Sequence, residues 1–235
     1  MIKGQKKVPE GYSAELKVTG DGSHTLFVPS LNEHYHSVFG AIQESKHIFI
    51  DAGLKALPSG MTTIEILEVG FGTGLNALLT CLEAWNSNPK VRYSSVEKWP
   101  VSIGMSSLLN FPDQIDTPGA RDVFEHIHAA PWDDCVEISN HFSLRKIHAD
   151  LIDYQPEPAR FNLVYFDAFG PDVQPEMWTE DVFAKMFSAM KSGGILVTYS
   201  TKGTVKRNLK GAGFTIEKLP GPPGKREMLR ARRPL

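Results

Sequence analysis

Residues 68–74 read Glu68-Val69-Gly70-Phe71-Gly72-Thr73-Gly74 and close a strand-like apolar run, Ile64 to Val69. A helix-like stretch, Leu75 to Trp85, follows at once. Three alternating glycines at a strand-to-helix crossing let backbone come close to a ligand, because no Cβ stands in the way. The spacing is G-x-G-x-G rather than the G-x-G-x-x-G of dinucleotide folds, and Glu68 lies two residues before the first glycine. A glycine turn of this kind also serves packing alone.

Two further acids extend the pattern. The next strand, Val91 to Glu97, ends in Glu97, about twenty residues beyond the glycines, where the second strand of a nucleotide-binding unit presents a carboxylate to both ribose hydroxyls. The run Phe142 to Asp150 ends in Asp150, positioned to meet an adenine amino group. A carboxylate beside a glycine turn suits a ligand with an ammonium and a sugar better than one with a pyrophosphate. S-adenosylmethionine (SAM) has both.

Strands alternate with helices from residue 64 onward, which argues for a mostly parallel α/β sheet covered by helices on both faces. The strands expected are Ile64–Val69, Val91–Glu97, Leu144–Ala149, Phe161–Phe166 and Gly194–Ser200, with helices at Leu75–Trp85, Val101–Leu109, Thr179–Lys191 and Thr204–Ala212. Ser192-Gly193-Gly194 is placed to stop a helix. Phe214–Leu219 and Glu227–Arg232 form a closing antiparallel pair. Residues 1–60 read as a small N-terminal cap on a main domain of residues 61–235. Its hairpin, Tyr12–Val18 and Thr25–Val28, turns at Thr19 to Ser23, and a helix runs from about Gly40 to Leu54. Between them His34, Tyr35 and His36 are read as hydrogen-bonding or ligand-contacting groups rather than metal ligands, because no third ligand has recognisable spacing.

The 235 residues are 41% hydrophobic with a net charge of −2, so no global basic signature marks a nucleic-acid binder. Any such contact needs a local patch. About ten cations with few acids crowd the last 35 residues, among them Lys202, Lys206, Arg207, Lys210, Lys225, Arg226, Arg230, Arg232 and Arg233. They are either a phosphate-binding surface or a solvated face. Cys81 and Cys135 lack metal or redox spacing and suit a reducing cytosol. No signal peptide or membrane span is read in the sequence, and a cytoplasmic location is expected.

The strand Phe161–Phe166 runs into Asp167-Ala168-Phe169-Gly170-Pro171. At the carboxyl end of a central strand this block falls in the crevice where open α/β sheets bind ligands. Asp167 can accept a proton from an amine or orient its N–H, and Phe169 can offer an aromatic face to a sulfonium. The alternative is a carboxylate that caps the turn and a ring that fills core.

Taken together, E-V-G-F-G-T-G-L-N at 68–76, V-E-K at 96–98, D-A-F-G-P at 167–171, P-E-M-W-T at 175–179 and G-K-R-E-M-L at 224–229 resemble one family. It is the methyltransferase module of the bacterial tRNA 5-methylaminomethyl-2-thiouridine biosynthesis protein MnmC, and the likeness runs from about Asn32 onward. The resemblance implies a Rossmann-like SAM-dependent methyltransferase fold and methylation of an aminomethyl group on the wobble uridine of tRNA. In the bifunctional enzyme a flavin-dependent oxidase is fused to this module; here a stand-alone form is expected. A separate oxidase or the tRNA aminomethylation machinery would supply the precursor. Carried over, the pattern assigns Glu68, Gly70, Gly72, Gly74 and Asn76 to the SAM loop, Glu97 to the ribose, Asp150 to the acid after the third strand and Asp167 to the transferred methyl. Lys202, Lys206, Arg207, Lys225 and Arg226 are the RNA-binding candidates. Gly170 stands where the family commonly has Ala. A small-molecule methyltransferase and a spermidine-synthase-like aminopropyltransferase share the glycine loop, while a SAM-binding sensor would leave Asp167 idle.

Overall fold

The computed structural model describes residues 13–85 and 89–235. Tyr12, where the first expected strand begins, lies outside them. Strand β1 is Glu15–Val18, paired antiparallel with β2, His24–Val28, which pairs with the short β3, Glu33–His34. The turn between β1 and β2 locks the helix that follows. Asp21 accepts from Ser23 N at 3.0 Å and from Gln43 N at 3.0 Å, so the hairpin caps α1, Ala41–Ser45. The expected helix to Leu54 changes pitch instead: α1 widens into a π-helical turn, Lys46–Asp51, and ends as the 3-10 turn Leu54–Ala56.

The main sheet has eight strands. Strand β4 is Thr63–Val69, followed by α2, Leu75–Trp85, and β5, Lys90–Glu97. The expected helix Val101–Leu109 shrinks to α3, Ile103–Ser106, capped by the Ser102 hydroxyl. Serines and Gly104 in that stretch favour turns over helix. Next come α4, Phe111–Gln114, and α5, Ala120–Ala129, then β6, Cys135–Ser139, and β7, Phe142–His148. Helix α5 and strand β6 were not expected, although Ala120, Val123, Phe124 and Ile127 are buried at helical spacing.

Strand β8, Phe161–Phe166, leads to α6, Glu180–Ala189, and directly to β9, Met190–Thr198. Here the sequence reading is corrected: Gly193 and Gly194 do not stop the helix. They lie inside β9, where Gly193 has φ +75° and the pairing with β8 shifts register. A glycine at a positive φ builds such an irregularity without strain. Helix α7, Gly203–Gly211, precedes β10, Thr215–Pro220, and β11, Glu227–Arg232.

The strand order is β10-β11-β9-β8-β4-β5-β7-β6. The five central strands, β9 to β7, are parallel, β11 and β6 run against them on either side, and β10 pairs antiparallel to β11 at the edge. Pleating divides the core. Ile64 and Ile66 face the α2 and α5 side, whereas Leu67 and Val69 face the α6 and α7 side. Leu26, Ala41, Ile48 and Phe49 of the N-terminal segment join the first of these clusters, so the segment is covered by the sheet's own core. Among the described residues no helix is long and apolar enough to cross a membrane.

Candidate active site

The chain order reverses at β4, which pairs with β5 on one side and β8 on the other. Gly70 N donates to Val96 O at 2.9 Å and Asp167 N to Val69 O at 3.0 Å, so the carboxyl ends of the three strands lie in one row. A cavity of about 460 Å³ opens above them. Open α/β sheets bind their ligands at such a reversal.

The glycine loop is shaped from within. Gly70 has φ +89°, and a Cβ there would stand 2.8 Å from the Asp167 carbonyl oxygen. Gly72 has φ +49°, and its Cβ would stand 3.0 Å from the Tyr35 ring. Gly72 lines the cavity, whereas Gly74 faces His128 instead. Thr73 between them is held from two sides: His36 Nε2 meets its hydroxyl at 2.6 Å, and His128 Nε2 meets its carbonyl at 3.1 Å. Burial pushes both imidazoles down to about 4, so both are neutral near pH 7. His36 therefore works as a loop support. Among the described residues no group of three His, Cys, Asp or Glu comes together to hold a metal.

The acids divide into three kinds. Glu97 takes one amide on each oxygen, Gly72 N at 3.1 Å and Trp99 N at 2.7 Å, and faces the cavity. Burial raises its pKa, against the lowering effect of those amides. Asp150 also lines the cavity, but it is already ion-paired with Lys98 at 2.7 Å and accepts from Ile152 N at 3.0 Å. Glu68 is fully buried and does not line the cavity. The structure sets it behind the cavity wall. Asn76 stands in front of Glu68 and donates from Nδ2 to Glu68 at 3.0 Å and to Asp167 at 2.9 Å, with Ser95 hydroxyl closing on Glu68 at 2.6 Å.

One amide thus bridges two carboxylates, and its own Oδ1 is buried without a partner. Burial, then the charge of Asp167, lifts Glu68 to about 8. Burial, then Glu44, lifts Asp167 to about 7, while Asn76 and Lys225 pull the other way. Like charges in a poorly solvated site resist joint ionisation.

The Asp167-Ala168-Phe169 loop is pinned by its neighbours. Trp178 Nε1 donates to Phe169 O and Tyr199 hydroxyl to Ala168 O, each at 2.8 Å. The P-E-M-W segment therefore buttresses this loop. Phe169 meets Tyr35 edge-on at 5.0 Å across the cavity. Glu33, Ser37, Glu44, Gly224 and Lys225 build the facing wall. Sequence reading missed Glu44 and Tyr199. Glu44 offered one signal, a buried acid among the apolar Ala41, Ile42 and Ile48.

The C-terminal cations scatter. Lys225 lines the cavity itself, while Lys202 and Arg226 line an open depression beside it. Lys202 is ion-paired with Asp172. Lys206 and Arg207 stand on α7, outside both. Arg230 pairs with Glu217 at 2.8 Å, and Arg233 donates to Phe187 O at 2.9 Å, so part of the basic region serves the fold.

A family model described as S-adenosyl-L-methionine-dependent methyltransferase matches residues 129–234. The tRNA 5-methylaminomethyl-2-thiouridine biosynthesis bifunctional protein MnmC of Cupriavidus metallidurans is 32% identical over 237 residues, covering 93% of this chain and 34% of that protein. Its counterpart in Burkholderia multivorans is 32% identical over 232 residues, covering 92% and 34%. The crystal structure of MNMC2 from Aquifex aeolicus superposes with a TM-score of 0.78 at 28% identity, covering 95% of this chain and 72% of that one. The chain spans about a third of the length of the curated relatives it matches. Strand order, cavity and relatives agree: residues 129–234 match the S-adenosyl-L-methionine-dependent methyltransferase family, and over 93% of its length the chain is similar to the part of the MnmC proteins that it spans.

Proposed function

We propose that the chain methylates a primary amine, the aminomethyl group on the wobble uridine of tRNA, to give 5-methylaminomethyl(-2-thio)uridine. The observation that carries the reading is Asp167, a half-buried carboxylate at the cavity floor whose pKa of about 7 lies near the working pH of a general base. The MnmC relatives, named for tRNA 5-methylaminomethyl-2-thiouridine biosynthesis, supply the substrate.

The cavity fits SAM on its own chemistry. Glu97 keeps acceptor capacity beyond its two amides for ribose hydroxyls, and the orphaned Oδ1 of Asn76 offers an acceptor to a cationic group. Gly72 admits close approach where any side chain would meet Tyr35. Asp150, which lines the same cavity with Leu151, is the acid we assign to the base. Glu68 acts through Asn76, fixing the amide that also holds Asp167.

When bound, SAM supplies a methyl group on a sulfonium, open to in-line displacement. The attacking amine needs a free lone pair, yet an aliphatic amine with a pKa of about 8 to 10 is mostly protonated near neutrality. Asp167 accepts that proton and aims the remaining N–H bonds. Phe169 and Tyr35 exclude water and offer ring faces to positive charge. Lys202, Lys206, Arg207 and Arg226 contact RNA phosphates outside the cavity. The amine must come from an earlier reaction that leaves a free aminomethyl group, performed by a separate oxidase or the aminomethylation machinery.

The test is nucleoside mass spectrometry of aminomethyl-bearing tRNA incubated with the protein and SAM. Conversion to the methylaminomethyl nucleoside is expected. SAM binding without any methylation of that tRNA would move the substrate to a small molecule.

A further inference from the structure

Glu44 and Lys225 meet across the cavity from positions 181 residues apart, and the reading above gives neither a task. Glu44 is buried on α1; its Oε2 accepts from Ser37 N at 2.8 Å and its Oε1 receives Lys225 Nζ at 2.6 Å. The same Nζ lies 4.1 Å from the centroid of the Tyr199 ring. A carboxylate with an aromatic face is a recurring way to hold an ammonium. Asp167 faces the same space, and Glu44 and Lys225 act on its charge with opposite signs. A primary ammonium of the chain's own therefore lines the same cavity as the carboxylate assigned to the substrate's primary amine.

We propose that Glu44 and the Tyr199 ring, in the same cavity as Asp167, form a subsite for a primary ammonium, and that Lys225 fills it until the substrate's amine displaces it. The proposal rests on amine methylation as the chain's reaction. The exchange replaces one cation by another, so buried Glu44 is never left without a counter-charge, which would be costly. Lys225 sits in the turn between β10 and β11 and already lines the outer depression with Lys202 and Arg226. Released, it turns toward that depression, where an RNA phosphate can receive it. Substrate entry and lysine departure then favour each other.

Benzylamine is the probe, an aryl-CH2-NH3+ without RNA, with benzyl alcohol as its uncharged control. Both are titrated calorimetrically into the full chain saturated with S-adenosylhomocysteine. Lys225→Met should tighten benzylamine by about tenfold, the size of one charge-assisted hydrogen bond, and leave benzyl alcohol unchanged. Adding Glu44→Gln to Lys225→Met should reverse that gain. Benzylamine affinity unchanged or weakened in Lys225→Met would make Lys225 a structural strut and overturn the proposal.

A second measurement needs no variant. Acylation of Lys225 in the wild-type chain by excess reagent, normalised to the other lysines and read by peptide mass spectrometry, should rise when benzylamine is added, and unchanged relative labelling overturns displacement. Methylated tRNA together with lysine-insensitive benzylamine binding would sink this subsite alone. A Lys225→Met gain with unmethylated tRNA would keep the subsite and remove the RNA reading.

Discussion

The floor of the cavity carries its acids on parallel strand ends: Glu97 closes β5, Asp150 follows β7 and Asp167 follows β8. The facing wall carries Glu33 on a two-residue strand, Glu44 on a five-residue helix and Lys225 in a hairpin turn. On the floor, backbone ladder bonds such as Gly70 N to Val96 O set each position. On the facing wall, side-chain pairs do so: Asp21 to Gln43 N, Glu44 to Ser37 N, Glu44 to Lys225. Ladder bonds yield only when the sheet opens, whereas side-chain pairs change by exchanging partners. Chemistry that tolerates little misalignment belongs on the first surface, and admission of substrate on the second.

The largest expected effect strikes the floor. Asp167→Ala should cut single-turnover methylation of aminomethyl-bearing tRNA by about a hundredfold or more, and Asp167→Asn, which keeps one acceptor oxygen, by less. SAM affinity should fall far less than the rate. With its carboxyl at about 7, Asp167 is neutral below that pH and charged above it, so activity should drop as pH falls through about 7. Because Asn76 ties Asp167 to Glu68, the measured value belongs to the pair. That limb should vanish in Asp167→Asn. Stability runs the opposite way. A carboxyl raised from 3.8 unfolded to about 7 folded holds its proton more tightly when folded, so it loses stability as pH rises through that window. Asp167→Asn should therefore melt above wild type near pH 8, a value just past about 7. Full activity in Asp167→Ala would reduce the carboxylate to a turn cap.

Next in size is the glycine loop. Gly72→Val should abolish measurable SAM binding by calorimetry, since φ +49° costs a β-branched residue about 1–3 kcal/mol and its side chain meets Tyr35. Glu97→Ala should weaken SAM by about 1–3 kcal/mol, the loss of one charged hydrogen-bonding partner. Unchanged affinity in both would show that the floor binds something other than SAM.

The two surfaces also differ in how far they could be read. Floor residues stand in contiguous motifs whose backbone dictates their place, so Gly72, Glu97 and Asp167 reach the cavity as their spacing implies. Glu68 belongs to the same motif, yet strand alternation and Asn76 keep it behind the wall, a detail that spacing does not carry. The facing wall joins Glu44 to Lys225 over 181 residues, and no local pattern announces such a pair. Lys225 was visible only as one cation in a basic tail. The missed helix α5 had the right periodicity, whereas β6 has only one buried residue, Ile138, and so lacked an alternating signal. Gly193 and Gly194 misled because glycine marks a strand irregularity and a helix stop equally well.

The smallest effect lies beyond both surfaces and tests where the contrast ends. Lys206 and Arg207 point from α7 and line neither the cavity nor its outer depression. Val205 and Leu209 anchor the helix from its buried side, so charge reversal on the outer face leaves the packing intact. If these cations meet tRNA phosphates, each contact releases counterions, and binding weakens as salt rises. Reversing both to Glu should weaken tRNA by roughly tenfold or less and reduce the log–log salt slope by about two, one for each lost contact. SAM affinity should stay at the wild-type value, since the residues proposed to face SAM, Gly72, Asn76 and Glu97, lie on α2, β5 or the loop after β4, away from α7. Filter binding across a salt series reads the slope, and calorimetry reads SAM. An unchanged slope would confine RNA contact to Lys202, Lys225 and Arg226 at the cavity mouth. A steep loss of both ligands would mean that α7 supports the cavity floor as well as the substrate.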